Sequence, residues 1–105
     1  MSATRPVVKA FDDITSQAAA PAISIEDADV KNDKATVQVW GTFTATVKVE
    51  GSQDGTNWTQ IGSDLTAPGF VDVDKKVKFV RTRASAYTSG TVESSVMYGE
   101  RVSKL

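Results

Sequence analysis

The stretch Phe43-Thr44-Ala45-Thr46-Val47-Lys48-Val49-Glu50 alternates apolar and polar residues without a break. In an extended chain this puts Phe43, Ala45, Val47 and Val49 on one side and Thr44, Thr46, Lys48 and Glu50 on the other, whereas a helix would scatter both sets around its axis. The stretch predicts a half-buried β-strand. Further strands are expected over Ala35 to Trp40, Trp58 to Ile61, Phe70 to Val73, Val77 to Ala84 and Thr91 to Tyr98. Between them lie turn-forming groups, Gly41-Thr42, Gly62-Ser63-Asp64, Pro68-Gly69, Asp74-Lys75-Lys76 and Thr88-Ser89-Gly90. Turn signals about every 8 to 12 residues are the spacing of a β-sandwich. No segment between Ala35 and Tyr98 sustains a helical apolar stripe. The pattern predicts an all-β fold, a single antiparallel β-sandwich of about eight strands with jelly-roll-like connections. Ala35 to Trp40 and the strand from Phe43 are expected to form a hairpin across Gly41-Thr42.

Residues 1–34 are patterned differently and divide the chain into an N-terminal segment and a sandwich core over 35–105, one domain overall. Val7 to Phe11 and Ala22 to Glu26 suit strands, and the alanines of Ser16-Gln17-Ala18-Ala19-Ala20-Pro21 suit a short helical turn that Pro21 stops. The segment is either an arm that reaches a neighbouring subunit or an edge strand of the same domain. Its N-terminus has no apolar run behind Arg5, so Sec export is not expected. No apolar run approaches the ~18 residues of a membrane helix.

The 105 residues include no Cys and no His. That removes disulfides, imidazole and thiolate zinc sites, and the Ser-His-Asp and Cys-His nucleophilic sites. Twelve basic against 13 acidic residues leave a net charge of -1, which gives no general attraction to nucleic acid or to an anionic membrane. No cofactor is expected. Asp12-Asp13, the acids from Asp27 to Asp33, and Asp72 with Asp74 could serve a glycosidase only in a cleft, and their turn and surface contexts predict solvated carboxylates. The chain is therefore read as non-enzymatic.

Val49-Glu50-Gly51-Ser52-Gln53-Asp54-Gly55-Thr56-Asn57-Trp58 could be a calcium loop, a sugar-binding tip or a hairpin turn. It lacks the closing acid of an EF-hand loop. Asp54-Gly55 is instead the dipeptide favoured where both turn residues take positive φ, so a hairpin turn is expected. Trp58 is expected to close one end of the sandwich. Trp40 shares the side of Thr36 and Gln38, opposite Val37 and Val39, and is the better candidate for an exposed or interfacial ring. Arg81 and Arg83 share the parity of Val77 and Phe79, which predicts a bulge that swaps faces midway; the alternative is a second covered surface where an arginine meets a partner's carboxylate.

The run from Ala45 to Trp58, followed by Val77-Lys78-Phe79-Val80-Arg81, resembles a pattern of small tailed-phage virion proteins, in which a strand ending V-x-G-S-x-D-G-x-x-W precedes a strand of the aromatic-V-R type. A similar turn occurs in discoidin-like jelly rolls. The resemblance spans about half of the chain. Among phage proteins of this size it is most similar to head decoration, or cement, proteins. It implies a homotrimer made in the host cytoplasm that binds the major capsid protein on the capsid exterior, without nucleic acid or membrane. Val7, Val8, Phe11, Trp40, Arg81 and Arg83 are the candidate interface residues. Tail or fibre accessory proteins, and a discoidin-like carbohydrate-binding module working through Trp40, are the alternatives that the same resemblance carries.

Overall fold

The computed structural model describes residues 2–26, 28 and 35–103, with strands β1 (Ser2–Ala10), β2 (Ile23–Ser24), β3 (Ala35–Trp40), β4 (Phe43–Ser52), β5 (Thr59–Leu65), β6 (Gly69–Val73), β7 (Phe79–Gly90) and β8 (Glu93–Ser103). The acids from Asp27 to Asp33 lie outside the described residues. The strands form two antiparallel four-stranded sheets, ordered β1-β8-β3-β6 and β2-β7-β4-β5. Strand 1 pairs with 8, 2 with 7, 3 with 6 and 4 with 5. This is one long antiparallel ribbon rolled over itself, so that successive pairs fall in alternate sheets, which is the jelly roll. The turn between β4 and β5 is the tip of the ribbon.

That roll corrects the expected β3–β4 hairpin. β3 pairs with β6 and β8, while β4 pairs with β5 and β7 in the other sheet. Gly41 and Thr42 therefore carry the chain across the sandwich. At the same corner Thr91 N donates to Thr42 O at 2.9 Å, which fastens the crossing to the β7–β8 turn.

The alternation becomes a core. Val37 and Val39 of β3, Val47 and Val49 of β4, Val71 and Val73 of β6, Val80 and Ala84 of β7, and Val96 and Tyr98 of β8 are buried between the sheets. Thr82 and Ser94 are buried with them and bond to each other at 3.0 Å, joining β7 of one sheet to β8 of the other. A hydroxyl pair of this kind meets its own hydrogen-bonding needs in an otherwise apolar interior.

Ser2–Ala10 lie along β8 as an edge strand, with Val8 opposite Met97. Ala18 to Ala20 form no helical turn. They pair with β7 through an Ala19–Arg83 bridge, where Ala20 N donates to Thr82 O and Ala84 N to Ala18 O, each at 2.9 Å. Pro21 interrupts the pairing before β2 resumes it, as suits an edge strand because proline has no N–H to donate. Phe11, Ile14, Ala20 and Ile25 are buried, so this segment covers the β1/β2 side of the sandwich.

β5 continues through Gly62-Ser63-Asp64, where a break was expected. Val47 faces Leu65 and Val49 faces Ile61, so two steps along β4 match four along β5 and the strand bulges.

Candidate functional site

On the side opposite the N-terminal cover, β5 and β6, which end their sheets among the described residues, leave a groove of about 830 Å³ between them. Ile61, Leu65, Phe70, Val71 and Val77 supply its apolar lining, and Asp54, Asp72, Asp74 and Lys75 stand among its polar residues. Gly51 lies behind this lining. A Cβ there would come within 2.6 Å of Ile61 Cδ1 and 3.0 Å of Val77 Cγ1, so the absence of a side chain lets those two approach.

The ribbon tip, residues 53–58, stands at one end of the groove and is fixed by Ser52 and Asp54. Ser52 Oγ donates to Asp54 Oδ1 at 2.9 Å and accepts from the backbone N–H groups of Asp54 and Gly55 at 3.2 and 2.8 Å. Asp54 Oδ1 also accepts from Thr56 N and Asn57 N, both at 2.8 Å, and Oδ2 accepts from Asn57 Nδ2 at 2.6 Å. Asp54 thus shapes the loop through its side chain and not through a positive φ, which is found here only at Gly55 (79°). The expected two-residue turn is a six-residue loop, 53–58, in the same β4–β5 hairpin. Gln53 Nε2 donates to Lys76 O at 3.1 Å and ties the loop to the β6–β7 connection. Among the described residues, no three His, Cys, Asp or Glu side chains gather as a metal ion would require.

The Asn57 backbone N–H, then that of Thr56, then the Asn57 and Ser52 side chains hold the Asp54 carboxyl well below the usual carboxylate range. A lowered folded-state pKa stabilises the fold above the unfolded value of about 4, and the contribution is lost as pH falls from there toward the folded-state value. Asp54→Ala should therefore lower the urea midpoint at neutral pH, and the gap from the parent protein should narrow progressively below about pH 4. A gap that stayed constant through acidification would contradict this role.

The outer face of the β2-β7-β4-β5 sheet carries an ionic cluster. Glu50, 6% exposed, accepts from Arg81 Nε at 2.9 Å and from Arg83 Nε at 3.1 Å through both oxygens. Glu50 lies directly opposite Arg81 on the neighbouring strand and diagonal to Arg83. The Arg81 guanidinium stacks over the Trp58 ring, 4.2 Å from its centroid. Trp58 is thus a half-buried cover for Arg81, correcting its expected place closing the core. The face-swapping bulge in the Val77 to Ala84 strand is corrected too. Val80, Thr82 and Ala84 alternate inward without interruption, and Val77 precedes β7 and faces the groove. Nearby, Lys48 Nζ donates to Asp64 at 2.7 Å and Gln60 Nε2 to the same oxygen at 2.6 Å. The Lys48 bond first, and then Gln60, holds the Asp64 carboxyl below its ordinary pKa.

The outer face of the other sheet is different. Val8 and Met97, 62% and 50% exposed, face each other across β1 and β8, and Phe70 of β6 is 66% exposed. Trp40 lies half-buried at the end of β3, opposite Glu93.

The six candidate interface residues therefore do not form one surface. Val8 and Trp40 belong to one sheet, and Arg81 and Arg83 to the other. Val7 packs against the core and Phe11 is 4% exposed, so Phe11 has no area left for a partner. Ile25 is also buried within the chain, so the apolar clusters of the N-terminal segment find most of their cover without a second subunit. Two features went unread in the sequence. The burial of Glu50 depends on β4 pairing with β7, and the groove depends on which strands end their sheets.

No protein-family model and no curated protein sequence matches the chain. Its fold is shared with the crystal structure of the SPBc2 prophage-derived protein YomS, with a TM-score of 0.72 at 16% identity, covering 93% of this chain and 97% of that one.

Proposed function

We propose that this chain is a non-enzymatic structural protein of a tailed phage, a decoration subunit that binds the major capsid protein on the outside of the head. The observation that carries the reading is the end-to-end likeness to a prophage-derived protein of nearly the same extent. It agrees with the V-x-G-S-x-D-G-x-x-W pattern, here the tip of a jelly-roll ribbon. The ionic chemistry supports a structural role as well. Glu50, Asp54 and Asp64 are each engaged by donors of their own sheet or loop. The face bearing Val8, Met97 and Phe70 suits contact with a neighbouring subunit, whether a capsid protein or the other copies of a homotrimer. A glycan platform at Trp58 is disfavoured because Arg81 occupies its ring face.

Particles separated into heads and tails, with each fraction analysed by mass spectrometry, test the assignment. The chain is expected with the heads. Its recovery with tails alone would move the assignment to a tail accessory protein, and its absence from both would overturn the structural reading.

A further inference from the structure

The two open sides of the sandwich are finished differently. The N-terminal segment covers the β1/β2 side with Phe11, Ile14, Ala20 and Ile25, whereas the β5/β6 side keeps a groove of about 830 Å³ with an apolar lining. We propose that this groove binds an extended, cationic segment of a partner polypeptide, laid along β6.

Three features select that occupant. First, β6 ends its sheet, so among the described residues its outer edge has no strand partner and its backbone groups can pair with an added strand. The edge of β5 is distorted by its bulge, which leaves β6 as the template. Five residues of β6 span roughly 17 Å at the rise of an extended chain, enough for a peptide of similar length. Second, alternate side chains of such a peptide would meet the aliphatic lining of Ile61, Leu65, Val71 and Val77. Third, among the described residues the charged ones lining the groove are Asp54, Asp72 and Asp74 against Lys75, a negative excess that favours lysine or arginine in the occupant. Asp72 accepts a hydrogen bond from Thr36 Oγ1 at 3.1 Å, which leaves its charge in place. A sugar fits less well. Among the described residues the aromatic side chain lining the groove is Phe70, and neither Trp40 nor Trp58, whose broader rings make the better sugar platform, lines it.

The inference does not depend on the phage assignment, since it concerns the chemistry of the occupant and not its source. The test is an NMR titration of the intact protein with a short blocked peptide of alternating lysine and valine, beside a glutamate–valine peptide and a neutral β-glucan oligosaccharide. The lysine peptide should shift the amides of Phe70 to Asp74 together with those of Ile61 and Val77. Combined Asp72→Lys and Asp74→Lys substitution should raise its Kd at least tenfold. Asp74→Asn, which removes one exposed charge and no hydrogen bond found here, should weaken binding by a smaller factor and covers the case of a misfolded double variant. Shifts away from the groove, no shifts, an equal response to the glutamate peptide, or groove shifts produced by the oligosaccharide in place of the peptide would each overturn the proposal.

Discussion

Gly90→Val should lower the melting temperature by about 15 °C, whereas Gly69→Ala should change it by a few degrees at most. Gly90 ends β7 with φ of 95°, a region that a Cβ makes costly by about 1–2 kcal/mol. The added Cβ would also press onto the Thr42 carbonyl and come within 2.6 Å of Phe43 Cα, both of them backbone atoms. Such overpacking costs about 1–3 kcal/mol where the neighbours cannot move. Here they cannot move cheaply, because Thr42 is where the chain changes sheets and Thr42 O already accepts the Thr91 N–H. At Gly69 the nearest atom is the end of a leucine side chain, Leu65 Cδ2 at 3.3 Å, which can turn away. Thermal unfolding followed by circular dichroism distinguishes the two sites. Equal small shifts would show that the crossing corner is not the rigid point described.

Glu50→Ala should cost about 2–3 kcal/mol, well above the ~0–1 kcal/mol of an exposed ion pair. The carboxylate is buried, and its loss leaves Arg81 and Arg83 facing each other without the acceptor that both Nε–H groups use. The cost falls short of a fully buried pair because both arginines keep some contact with water, with side chains 24% and 35% exposed. Removing the acid should also release Arg81 from the Trp58 ring, so the near-ultraviolet tryptophan signal should weaken with the urea midpoint. Converting Glu50, Arg81 and Arg83 together to leucine should recover much of the loss, since an apolar group needs no partner. A Glu50→Ala midpoint within error of the parent protein would mean that the cluster is surface decoration.

The two predictions rest on features that differed in how far the sequence revealed them. Inward Val47 and Val49 and outward Lys48 and Glu50 follow from alternation alone, because the pleat fixes sidedness within one strand. Alternation does not say which strands are neighbours. Ala35–Trp40 and Phe43–Ser52 have the same appearance whether Gly41-Thr42 turns a hairpin or crosses the sandwich, and here it crosses. The burial of Glu50 is hidden from the sequence for the same reason, since its arginines arrive from a strand 31 and 33 residues away. Gly62-Ser63-Asp64 has turn chemistry, but pairing with β4 absorbs it as a bulge. Asp54-Gly55 marked a turn correctly, and Ser52 with Asn57 then made it a longer one. Of the candidate surfaces, Trp40 could be assigned to an outer face by parity. The β5/β6 groove could not, because sheet edges are a property of the whole topology.

The structural role itself is tested most directly by adding purified protein back to heads assembled from a phage genome lacking its coding sequence, followed by sedimentation and measurement of the bound amount. The protein should pellet with the heads and saturate at a fixed ratio to the major capsid protein. Protein that remained in the supernatant at every concentration, while intact by circular dichroism, would contradict the account.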